Sequence, residues 1–147
     1  MPRRSMWGLL VAVAAVLLTG CETFGSTKQV GSNMGIHYLE IVCSDVDAQI
    51  ASLERVRGLS FGPPVPDLGN AKVAEAPDGL RIAVRAPLAE HESPIVRTYL
   101  EVEDIAAAVK EAEAAGAIIA YPPTQQGDTG TWAIYILADV QMGLWQR

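Results

Sequence analysis

From Gly35 onward the chain presents the same run of signals twice, and this constrains its fold more than any other feature. The first copy reads Tyr38-Leu39-Glu40-Ile41, then Asp45 followed by Val46, Ile50 and Leu53, then Gly58, then Pro63-Pro64. The second reads Tyr99-Leu100-Glu101-Val102, then Asp104 followed by Ile105, Val109 and Ala112, then Gly116, then Pro122-Pro123. Order is identical and spacing agrees within one or two residues. A repeat of this kind means two copies of one supersecondary unit that complete a common core.

Each signal has a physical reading. Leu39, Ile41 and Cys43 alternate with Tyr38, Glu40 and Val42, the period of a strand with two unlike faces. Asp45 and Asp104 are good helix N-caps, and the apolar residues after them recur at helical spacing. Gly58 and Gly116 supply the stops. Three β-like stretches follow each helix: Leu59 to Gly62, Ala71 to Ala76 and Leu80 to Ala86 in the first copy, and Ala117 to Tyr121, Thr131 to Leu137 and Gly143 to Gln146 in the second. The prediction is an α+β domain over residues 35–147, built from βαβββ units at about 35–87 and 94–147.

The residues before this domain carry a different kind of information. Arg3 and Arg4 precede an apolar run from Trp7 to Leu18, too short for a membrane-spanning helix, which needs about 20 residues. Leu18-Thr19-Gly20-Cys21 then resembles the lipobox of bacterial lipoproteins. That resemblance implies removal of residues 1–20, acylation of Cys21, and residues 21–34 as a flexible tether. Glu22 stands where an inner-membrane retention signal would often place Asp, which leans toward the outer membrane, with the domain facing the periplasm. The competing reading makes Met34 the true start and the protein cytoplasmic.

Composition excludes several classes. The net charge is −6 and no basic run exceeds Arg3-Arg4, so nucleic acid is not an expected partner. Two cysteines, Cys21 and Cys43, make no disulfide framework, and no Cys/His spacing suits zinc. Phosphate loops, nucleophile elbows and His-Glu-x-x-His helices are absent from the sequence.

Two tandem βαβββ units with Asp-capped helices, re-entered from Pro94 to Val102 and closed by Gly143-Leu144-Trp145-Gln146, resemble the vicinal oxygen chelate superfamily of glyoxalase, bleomycin-resistance and extradiol dioxygenase proteins. The resemblance spans Gly35 to Arg147. It implies a curled mixed sheet around a cavity, with the helices outside. In metal-binding members a His or Gln stands seven residues before each capping Asp and a Glu on the last strand of each unit. The matching positions here are Tyr38 and Arg97, and neither Leu80 to Arg85 nor Gly143 to Gln146 contains Glu. No metal and no other cofactor is therefore implied, since a guanidinium has no lone pair to donate.

Alternation sends Tyr38 and Glu40 into the cavity from the first unit, with Arg81 and Arg85, and Arg97, Tyr99 and Glu101 from the second. Trp132, Tyr135 and Trp145 supply apolar walls or ordinary core packing. His37 falls with Leu39 on the helix-facing side, and His91, in a charged linker between the units, reads as a solvated loop residue. Cys43 reads as an inert buried thiol. Two readings of the charges stand side by side: the arginines neutralise Glu40 and Glu101 in a buried network, or one is left free to hold a carboxylate. The function expected is binding of a small organic, anionic or neutral molecule. Its rivals are a divalent-metal lyase, isomerase or dioxygenase that recruits His37, and a structural or partner-binding lipoprotein. The residues do not decide between binding and catalysis, and a homodimer is compatible with the superfamily.

Overall fold

The structure is a computed structural model and describes residues 35–147. The signal segment, Cys21 and the tether lie outside the described residues. The elements are β1 (Ile36–Val42), α1 (Val46–Arg57), β2 (Pro64–Val65), a 3-10 turn (Pro66–Leu68), β3 (Ala71–Glu75) and β4 (Arg81–Arg85), then β5 (Ile95–Glu101), α2 (Ile105–Ala114), β6 (Ile118–Gln125), β7 (Thr131–Leu137) and β8 (Val140–Gln146). All eight strands form one open mixed sheet in the order β2-β3-β4-β1-β5-β8-β7-β6.

The repeat is visible in the pairing. β1 runs parallel to β4 and β5 parallel to β8, while β1 and β5 meet antiparallel at the centre and join the two units. The caps act as their residue types require. Asp45 accepts from the Ala48 backbone N–H and Asp104 from that of Ala107, both at 3.0 Å. Gly58 ends α1 in the left-handed conformation, its N–H bonded to the Glu54 carbonyl. α2 stops at Ala114, with Gly116 two residues on at φ +91°.

The sheet has a packed side on each face. Inside the curl, Tyr38, Ala71, Ala83, Tyr99, Ile134 and Trp145 form one apolar cluster drawn from both units. Outside, α2 buries Ile105 and Val109 against Ala133 of β7 and Leu144 of β8. On β1 the inward residues Tyr38, Glu40 and Val42 are the buried ones, whereas Leu39 and Ile41 on the outer face are only half-buried, because α1 lies over β4.

Three strands depart from the sequence reading. The strand expected at Leu59 to Gly62 is instead the two-residue β2, pairing Pro64 with Lys72 and Val65 with Ala71. Pro63 and Pro64 lack the N–H groups a longer ladder needs. β6 continues through Pro122-Pro123 to Gln125, with register shifts at Tyr121 and Thr124, which an edge strand tolerates. β8 begins at Val140, three residues early, after a two-residue turn in which Ala138 and Asp139 both have positive φ, 49° and 64°.

Candidate functional site

Curling of the sheet leaves a cavity of about 510 Å³ between the two units. Of the eight predicted site residues, Tyr38, Glu40, Arg85, Arg97, Tyr99 and Trp132 line it. β1 contributes Tyr38 and Glu40, β4 Arg85, β5 Arg97 and Tyr99, and β7 Trp132. The floor is aromatic. The Tyr38 and Tyr99 rings meet edge to face at 5.3 Å between centroids, and Trp145 lies 5.5 Å from Tyr38. Tyr99 lies so close over β8 that only glycine fits beneath it. A Cβ on Gly143 would come 2.2 Å from the Tyr99 ring.

Glu40 is the hub of the polar wall. Its carboxylate accepts from Arg85 Nε at 2.7 Å, from Arg97 Nη1, and from the Tyr99 hydroxyl at 3.2 Å. Register explains the convergence, because Glu40 is the cross-strand partner of Arg97 while Arg85 lies further along β4 on the same face. All three charged residues are buried, Glu40 at 7%, Arg85 at 5% and Arg97 at 6% exposure. Arg97 Nη2 also donates to Gln141 Oε1 at 2.6 Å, but Arg97 Nε is buried without a hydrogen-bond partner among the described residues. Burial, reinforced by the Glu40 charge, pushes the Tyr38 and Tyr99 hydroxyls well above the usual phenol range, so both remain protonated donors.

The second carboxylate comes from the linker between the units. Glu92 takes the free edge of Arg85 in a bidentate pair, Nη1 to Oε2 at 2.8 Å and Nη2 to Oε1 at 2.7 Å, and also accepts from the Leu88 backbone N–H at 2.7 Å. Hydrogen bonding from Arg85 holds its pKa down at about 2. Two carboxylates thus face two guanidiniums, and Asp67 adds a further acidic residue to the cavity lining.

Two predicted residues lie beyond the cavity. Arg81 shares a strand face with Arg85, but its guanidinium sits over the Tyr38 ring, 5.8 Å from the centroid. Glu101 pairs instead with Arg147 at 2.7 Å. Trp145 is the physical reason for both. Cross-strand from Glu101 and 1% exposed, it fills that end of the curl. His37 also departs from its expected place among the helix-facing residues. It is the extra residue of a bulge between Ile36 and Tyr38, and its ring lies 5.2 Å from Trp145. Burial there, followed by the Arg147 charge, lowers its pKa. His91, read from the sequence as a solvated loop residue, is exposed and also lines the cavity.

Gln141, Glu92 and Gln126 are functional candidates the sequence reading missed. Gln141 shares a face with Gly143 and Trp145, so a strand started at Val140 would have revealed it. Glu92 and Gln126 carry no local signal, because their partners, Arg85 and the Asp67 carbonyl, are supplied by other segments.

The residues present do not fit the divalent ion that the resemblance associates with this kind of cavity. Glu40 already serves two guanidiniums, Tyr38 and Arg97 occupy the expected ligand positions, and among the described residues no group of three or more His, Cys, Asp or Glu is placed to hold a metal. Cys43 is half-buried, its thiol pushed up by burial.

No protein-family model matches the sequence, and no curated protein matches it either. Solved structures do match. Methylmalonyl-CoA epimerase from Mycobacterium tuberculosis superposes with a TM-score of 0.62 at 16% identity, over 81% of this chain and 93% of its own. The chain has the vicinal oxygen chelate fold. Streptomyces coelicolor methylmalonyl-CoA epimerase in complex with 2-nitronate-propionyl-CoA shares this fold at TM-score 0.57 and 17% identity, over 78% and 98% of the two chains. A hypothetical protein from Bacillus halodurans shares it at TM-score 0.60 and 14% identity, over 77% and 94%. At these identities the likeness establishes the vicinal oxygen chelate architecture alone.

Proposed function

We propose that this chain is a membrane-tethered binding protein whose cavity takes a small organic molecule bearing a carboxylate or another planar acceptor, through protein donors and without a metal. One observation carries the reading: the buried guanidiniums of Arg85 and Arg97 line a cavity of about 510 Å³ beside the aromatic floor of Tyr38, Tyr99 and Trp145. A guanidinium on the wall of such a cavity offers a planar acceptor short, charge-assisted hydrogen bonds. The aromatic floor offers apolar area, and 510 Å³ lies in the usual range for small-molecule sites. Structures of the same fold that hold 2-nitronate-propionyl-CoA support small-molecule binding. Cys21 is the proposed acyl anchor, with Glu22 directing the protein to the outer membrane.

The test is a titration with 2-naphthoate and 2-naphthamide, followed by tryptophan fluorescence, in the parent protein and in Arg97→Met. Saturable binding that Arg97→Met weakens at least about ten-fold, with the fold intact by circular dichroism, is the expected result. Absence of saturable binding of either probe refutes the reading. Near-stoichiometric metal retained after loading with Zn, Mn, Fe or Ni and dialysis refutes the metal-free donor set. Membrane fractionation of Cys21→Ser tests the anchor: release into the soluble fraction is expected, and an unchanged distribution overturns it.

A further inference from the structure

Arg85 has three N–H donor groups and two different duties. Its Nε faces Glu40 inside the sheet, while the fork formed by Nη1 and Nη2 faces the linker and closes on both oxygens of Glu92. That fork is the most favourable place in the cavity wall for a planar carboxylate, and a side chain of the chain itself already occupies it. The occupant is attached to the segment that roofs the cavity, since Leu88, Ala89, His91, Ser93 and Pro94 all line it. Glu92 also fixes that segment locally through the Leu88 N–H. Beyond these contacts the roof is thinly held, for Leu88, whose side chain lies beside Gly69, is still 66% exposed.

Charge governs the response of this wall to an arriving ligand. A carboxylate entering the cavity would join Glu40, Glu92 and the lining Asp67, with only Arg85 and Arg97 to answer them in a largely buried wall. A carboxylate that replaces Glu92 leaves the charge balance of the wall unchanged, and returns Glu92 to solvent with its linker. We infer that Glu92 is a tethered stand-in for the ligand's own carboxylate: an incoming organic anion takes the Arg85 fork from it, and the exchange unlatches the Leu88-to-Pro94 roof. The inference rests on the binding function proposed above and adds its control. A tethered competitor acts at an effective concentration on the order of millimolar or more, so it lowers the apparent affinity of any free anion by the fraction of time the latch is closed. A neutral ligand does not need the fork and is not subject to this competition.

Two measurements test it. The first compares the parent protein with Glu92→Gln, which keeps the shape and removes the charge, against 2-naphthoate and its neutral isostere 2-naphthamide. Glu92→Gln is expected to bind 2-naphthoate about ten-fold or more tighter and to leave 2-naphthamide affinity within about two-fold. The second follows backbone hydrogen exchange of the linker in the parent protein. Saturating 2-naphthoate is expected to accelerate exchange from Leu88 to Glu92, and 2-naphthamide to leave it unchanged or slow it. If both probes bind but Glu92→Gln gains nothing for the anion, or 2-naphthoate protects the linker, the inference is overturned while the binding function stands. If neither probe binds either protein, the binding function falls and the inference falls with it.

Discussion

Glu40→Gln is the perturbation that most directly probes how this domain is held together. In the native protein the Glu40 carboxylate receives Arg85 Nε at 2.7 Å, Arg97 Nη1 and the Tyr99 hydroxyl, at 7% exposure. The substitution keeps the shape, removes the charge and turns one acceptor into a donor facing other donors. The two guanidiniums do not suffer equally. Arg85 retains its bidentate pair with Glu92 and a bond to the Ala86 carbonyl at 3.0 Å. Arg97 retains only Gln141, and its Nε was already without a partner among the described residues. The cost therefore concentrates on one buried cation without a counter-ion, and breaking a buried pair in this way costs about 3–5 kcal/mol. For a domain of this size that corresponds to a drop in Tm of roughly 12–20 °C, taking about 4 °C per kcal/mol. Urea unfolding followed by circular dichroism measures the loss directly. Adding Arg97→Met removes the stranded cation, so the double variant should be more stable than Glu40→Gln alone. A loss below about 1 kcal/mol for Glu40→Gln, or no recovery in the double variant, would refute the view that these charges form a mutually dependent buried network.

The Glu92–Arg85 pair should show in acid. Because Glu92 titrates near 2 in the folded protein against an ordinary 4.5, its contribution is complete above about 4.5 and disappears as pH falls toward 2. The Tm difference between the parent and Glu92→Gln should be largest near pH 6 and close through that window, and a constant difference from pH 6 to 2 would contradict the assignment. Ala138→Gly should stabilise by about 1 kcal/mol, since Ala138 holds φ +49° in the β7–β8 turn; an unchanged or lowered Tm would argue against that turn. Gly143→Ala should cost at least about 1–3 kcal/mol by driving a methyl into the Tyr99 ring, and should weaken probe binding as Tyr99 shifts. Urea unfolding and the fluorescence titration report the two effects separately.

The parts of this structure legible in the sequence are those set by neighbours along the chain. Asp45 and Asp104 cap their helices through bonds to residues three positions on, and Gly58 ends α1 in its own conformation. Alternation along β1, β4 and β5 places Tyr38, Glu40, Arg85, Arg97 and Tyr99 correctly on the inner face. Alternation assigns a face, however, and says nothing about how far along it a cavity extends. Arg81 and Glu101 share the right face but lie where Trp145 has filled the curl. His37 is itself the extra residue of a bulge, which no pattern of hydrophobicity marks. Gln141 is hidden because the turn before β8 uses Ala138-Asp139 in place of the glycine-containing pairs that announce such turns. Glu92 reads as one charge among several in a polar linker until the fold returns that linker to Arg85.

The open sheet ends at β2 on one side and β6 on the other, and among the described residues one side-chain hydrogen bond reaches across near that gap. Gln126, its amide oxygen held by Trp132 Nε1 at 2.8 Å, donates to the Asp67 carbonyl beside the 3-10 turn. A lone exposed hydrogen bond of this kind is worth only about 1 kcal/mol net, so thermal motion breaks it often, on the nanosecond-to-microsecond scale of loops. The rim thus breathes far faster than a ligand diffuses up to it at ordinary concentrations. The rate at which this cavity fills is then governed by encounter, and by the slower departure of its roof, while its clasp behaves as a door that is never effectively shut.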